Sequence, residues 1–166
     1  MASAMAVTLV PRPVETALVF PSGRIEFRIQ RKLRSPNELL GRHWREKSRE
    51  RKLWQASMEN ALIDAIGVTR AQALLAPGAA LVGCHGMCTT RRQVEVTRFA
   101  PRPRNFLRDD DNLRFAAKSL VDALKHLGLI RDDHRKWCEL AIPTQAVSDD
   151  GAFWTWVVVD AVEGRV

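Results

Sequence analysis

The sequence is short of cysteine and of long apolar runs, and each shortage removes a class of protein. Three cysteines, an odd number, give no disulfide framework. Cys84, His85 and Cys88 have a metal-like spacing, but no fourth ligand accompanies them and the segment reads as a strand, so no zinc site is expected. Nothing approaches the roughly 20 apolar residues of a membrane span. Residues 1–10 are apolar but carry no basic leader, which argues against a signal peptide and makes the cytoplasm the expected setting. Internal repeats are absent. So is a glycine-turned calcium loop, which argues against a calcium-stabilised structural protein.

What is present is a basic chain with an acidic centre. Its 166 residues, 46% of them hydrophobic, suffice for one domain with a core and not for two. Lys and Arg total 26 against 19 Asp and Glu, a net charge of +7, and the pI is near 10.0. That balance points to an anionic partner, nucleic acid above all.

Residues 1–23 read as an extension rich in small residues and proline, with one short strand over 15–20, and 24–166 as the domain proper. Arg24 to Gln30 alternates apolar and polar residues, the pattern of a half-buried strand. Ser35-Pro36-Asn37-Glu38 is a helix start, with Ser as N-cap, Pro at the first helical position and Glu three residues on. The helix runs on through the basic stretch 42–52, where Arg42, Arg45 and Lys47 can contact phosphates. It then becomes amphipathic through Trp54, Met58, Ala61 and Leu62, and Gly67 ends it. Trp44 and Trp54 read as packing residues. Strands are expected over 80–88 and 93–99 with a turn at 89–92, and a terminal hairpin over 137–147 and 152–162. Between them, 98–108 forms a proline-stiffened basic arm with Arg102, Arg104 and Arg108. Phe106 in that arm reads either as a core residue or as a wedge between bases.

The centre is 109–124. Leu113, Ala116, Ala117, Leu120, Val121, Leu124 and Leu127 recur at helical spacing, and Gly128 supplies a stop. Asp111 or Asn112 is the expected N-cap. If 107–111 is extended, Asp109 and Asp111 share a side, and Asp111, Lys118 and Asp122 lie along one helix face. A second acidic pair, Asp132-Asp133, follows the helix.

Asp109-Asp110-Asp111-Asn112-Leu113, then Lys118, then Asp122-Ala123-Leu124, then Asp132-Asp133, resembles the core pattern of the RusA family of Holliday-junction resolvases. The resemblance covers about 99–140, and its gap from Asn112 to Lys118 is about three residues longer, nearly one helical turn. It implies an α+β single domain, a mixed β-sheet with two main helices on one side of it. It also implies a bacterial or phage-encoded homodimer that cuts four-way DNA junctions symmetrically, with Mg²⁺ or Mn²⁺ as cofactor. By position, Asp109, Asp111 and Asp133 become metal ligands, with Asp132 in reserve, and Lys118 stabilises the leaving oxygen. Asn37 becomes a DNA contact through a Ser/Pro/Asn cluster after the first strand. Clustered carboxylates suit a hard, oxygen-preferring ion, which would relieve their mutual repulsion. The competing expectations are a less selective Mg²⁺ nuclease for branched or single-stranded DNA, and a basic DNA-binding protein without catalysis.

Overall fold

The computed structural model describes residues 15–39, 44–75 and 91–162. In chain order the elements are β1 (Thr16–Val19), β2 (Ile25–Ile29), α1 (Pro36–Leu39), α2 (Trp44–Ile66), α3 (Val68–Leu75) and β3 (Arg92–Ala100). A 3₁₀ turn at Pro103–Asn105 leads to α4 (Asp110–His126), followed by β4 (Cys138–Leu140), β5 (Thr144–Val147) and β6 (Trp154–Ala161). One six-stranded sheet runs β1-β2-β6-β3-β4, and β5 pairs with β3 beyond β4. The pairs β1–β2, β2–β6 and β3–β6 are antiparallel, whereas β4 and β5 run parallel to β3. The expected α+β domain with a mixed sheet and two main helices is the architecture found.

Strand alternation builds the core. The registers Ile25↔Val159, Phe27↔Val157, Val94↔Val159 and Val96↔Val157 stack these side chains on one sheet face, and all are buried. Trp54, Met58, Ala61 and Leu62 of α2 and Ala116, Ala117, Leu120, Val121 and Leu124 of α4 join the same cluster. Each fully buried Leu or Val contributes about 1.5–3 kcal/mol, so packing of these stripes fixes both helices far more strongly than local propensity does. Gly67 and Gly128 take positive φ of 81° and 76° after α2 and α4, a conformation a Cβ would strain, and so act as the expected stops.

Three sequence expectations change. The terminal hairpin does not form: β6 inserts between β2 and β3, and the stretch over 137–147 pairs with β3 instead. That stretch is also two strands, because Pro143 has no N–H to continue the ladder between β4 and β5. A further helix, α3, follows Gly67, with Ala71 and Leu74 buried. The expected strand over 80–88, with Cys84, His85 and Cys88, lies outside the described residues. β1, within the span read as an extension, is an edge strand of the sheet.

Candidate active site

The strand β3, the helix α4 and the strand β4 form a crossover unit whose first connection, 101–109, carries the basic arm into the acidic run. Arg98, at the end of β3 and only 1% exposed, anchors this connection. Its guanidinium donates to the carbonyls of Asn105 at 2.9 Å and Leu33 at 3.3 Å, and to Gln145 Oε1 at 3.1 Å. Gln145 in turn accepts from Leu107 N and donates to Leu107 O, each at 2.9 Å. Burial lowers the Arg98 pKa, and the negative charge of Glu38 offsets the desolvation only in part. With the backbone held this way, Arg102, Arg104 and Arg108 remain exposed. Phe106 is half-buried.

At the head of α4 the cap is Asp109, not Asp111 or Asn112. Its backbone is extended, at φ −134° and ψ 154°, and its carboxylate accepts from Asn112 N at 2.7 Å. The Asn112 side-chain amide donates to the other Asp109 oxygen at 2.5 Å. The helix therefore starts at Asp110, two residues earlier than an Asp111 cap would allow, so the extended alternation over 107–111 does not apply. Asp110 and Asp111 occupy the first turn, where the helix dipole favours negative charge. Asp111 has a side chain 94% exposed, with Arg114 at 3.8 Å.

The loop after α4 folds back along the helix. Lys118 Nζ donates to Asp133 Oδ2 at 2.5 Å and lies 3.2 Å from Asp122. Two turns on, Lys125 holds Asp132 at 2.5 Å and lies 3.8 Å from Asp133. The bond to Lys118 is the main reason the Asp133 carboxyl sits below the usual carboxylate range, and the same bond raises Lys118. Cys138, buried at the start of β4, has its thiol pushed up to about 11, chiefly by desolvation, and is inert at neutral pH.

Lys118 and Asp133 are thus brought together, but Asp109 and Asp111 are not gathered with them. Seven residues of helix separate Asp111 from Lys118, about 10.5 Å along the axis. Among the described residues, no group of three or more His, Cys, Asp or Glu is close enough to hold a metal ion. The aspartates fit Mg²⁺ in donor type, all hard oxygen, and do not fit it as a gathered set. Of the remaining candidates, Asn37, Arg45 and Lys47 are exposed on α1 and α2, and Arg42 lies outside the described residues.

One feature escaped sequence reading. Phe115, 43% exposed, lines a cavity of about 550 Å³ between α2 and α4 with Lys47, Ser48, Arg51, Lys118 and Asp122. Its signal was available: Phe115, Lys118, Ser119 and Asp122 are spaced at three, four and seven residues, a second stripe of α4. Among the described residues no helix is long and apolar enough to cross a membrane. No family model matches the chain, and no curated protein matches it.

Proposed function

We propose that this protein is a Mg²⁺-dependent endodeoxyribonuclease that resolves four-way DNA junctions as a homodimer. The observation that carries this reading is that an arginine arm and an acidic helix start share one connection at the carboxyl end of β3, in a chain of net charge +7. Ligands of sheets with such crossovers bind beyond the carboxyl ends of the strands. Arg102, Arg104 and Arg108 would neutralise phosphates and hold the backbone in register. The Lys118 ammonium would stabilise negative charge developing on the leaving oxygen. Asp109, Asp111 and Asp133 would hold Mg²⁺ or Mn²⁺, which when bound supplies charge stabilisation and a more acidic water. A two-fold enzyme suits a two-fold substrate.

A second reading, a basic DNA-binding protein without catalysis, is favoured by one observation. Lys118 is engaged by Asp122 and Asp133, and the three expected ligands are apart. The test is to incubate the protein with a labelled synthetic four-way junction and a linear duplex, in Mg²⁺ or EDTA, beside Asp111→Asn. Paired Mg²⁺-dependent nicks in the junction alone, lost in the variant, support the resolvase. Cutting of both DNAs alike demotes it to a general nuclease, and binding without cutting favours the second reading.

A further inference from the structure

An open groove lies between α2 and α4. An exposed aromatic alone means little, since much of any protein surface is apolar. Here, however, Phe115 stands on a groove whose other described lining residues are all polar or charged, rather than at the end of the core stripe. Its flanks are cationic: Lys47 and Arg51 from α2 and Lys118 from α4, against Asp122 as the one acid among the described residues that line it. The Arg51 Nε is shielded from solvent and has no hydrogen-bond partner among the described residues, while its Nη2 lies at the 3.5 Å limit from Ser48 Oγ. A buried donor left without an acceptor is costly, and an oxyanion in the groove would meet the Arg51 guanidinium through its outer nitrogens, which only Ser48 approaches among the described residues.

We propose that this groove binds a single-stranded segment of DNA, with Phe115 as a stacking platform for one base and Lys47 and Arg51 as contacts to the flanking phosphates. Every base has a π-face, so an aromatic beside cations reads unpaired nucleic acid without regard to sequence. In a duplex those faces are already covered by neighbouring bases, so Phe115 gains nothing there. The groove therefore selects strands whose bases are open, as they are at the crossover of a branched molecule. Lys118 belongs to both the groove and the proposed active site, so a strand held here would run past that site. This inference rests on the nucleic-acid reading above but not on catalysis.

The test measures binding in EDTA by fluorescence anisotropy, with labelled oligo-dT and a duplex of equal length. Phe115 is exposed, so its replacement leaves the core intact. Phe115→Ala should weaken oligo-dT binding on the order of tenfold while duplex affinity moves by less than about twofold. Phe115→Leu should resemble the alanine variant, and Phe115→Trp should retain affinity. Lys47→Gln should flatten the salt dependence of oligo-dT binding, by about 0.7 in log–log slope. Equal losses on both DNAs, no loss, or full rescue by leucine would overturn the stacking role. Tighter binding of oligo-rU than of oligo-dT would overturn the assignment to DNA. Junction cleavage by wild type, with oligo-dT affinity unmoved in Phe115→Ala, sinks the groove alone. Loss of oligo-dT binding in that variant, with no cleavage by wild type, sinks the nuclease alone.

Discussion

The two acidic groups around α4 use the same side chain in opposite surroundings. At the head, Asp111 is almost fully exposed and, among the described residues, meets only Arg114, at 3.8 Å. At the tail, Asp132 and Asp133 are each bonded to a lysine at 2.5 Å. The head is open to an outside cation, whereas the tail is already neutralised and ties a loop to the helix. Partner, rather than residue type, separates a prospective ligand from a tether. Asp109 lies between the two cases, because its oxygens are spent on the helix start.

Experiments that strike the two ends separately would sharpen or erase this contrast. The largest effect is expected from Asp111→Asn, which should lower Mg²⁺-dependent junction cleavage by at least about a hundredfold. Its stability should change by less than about 1 kcal/mol, the scale of a charge at a helix end. Cleavage that survives would remove the head from the chemistry. Next is Arg98→Leu, which strands two backbone carbonyls and frees the arm. Urea unfolding should show a loss of about 2–3 kcal/mol, and an unchanged midpoint would refute the anchoring role. Asp109→Ala should cost about 1 kcal/mol as a lost cap, with Asp109→Asn closer to wild type. Equal costs would mean that the charge, not the cap, matters.

The smallest effect is the tail's dependence on pH. Asp133 has a folded pKa below its unfolded one, so the stability it contributes is present above the unfolded value. That contribution is lost as pH falls through the folded value. Lys118 is raised, so the same bond is intact below the ordinary lysine value and lost as pH rises through the raised one. With side chains 56% and 35% exposed, solvent screens the pair, which should contribute under about 1 kcal/mol. Lys118→Met should flatten the acid limb of stability against pH. A variant whose acid limb matches wild type would show that the tail is not held electrostatically.

The helices were legible because their apolar residues repeat at the helical period over many turns, as from Leu113 to Leu124. The strand Ile25–Ile29 was legible through strict alternation. Strand partners were not, because alternation states which face a residue takes and nothing about which strand lies alongside. Two apolar stretches over 137–147 and 152–162 suggested a hairpin, yet Val157 and Val159 are buried with β6 flanked by β2 and β3. The cap was missed by two residues because three successive aspartates can each serve, and only backbone geometry selects among them. For the site, residue order was legible, but the spacing that separates Asp111 from Asp133 is set by how the loop after Gly128 folds back. Burial of Leu129 and Ile130 in the core sets that fold-back, and the Lys118–Asp133 bond joins residues on either side of it.

The position of β6 has a consequence for how the chain reaches its fold. It follows the other described strands in the chain, yet it lies in the interior of the sheet, paired to β2 more than a hundred residues earlier, as in Phe27↔Val157. Such distant pairing closes late and slows folding. Until residue 161 has emerged, β2 and β3 have no common neighbour, and each presents a bare edge to its surroundings. Synthesis arrested shortly before β6 would leave a ligand for holding chaperones rather than a smaller version of the protein.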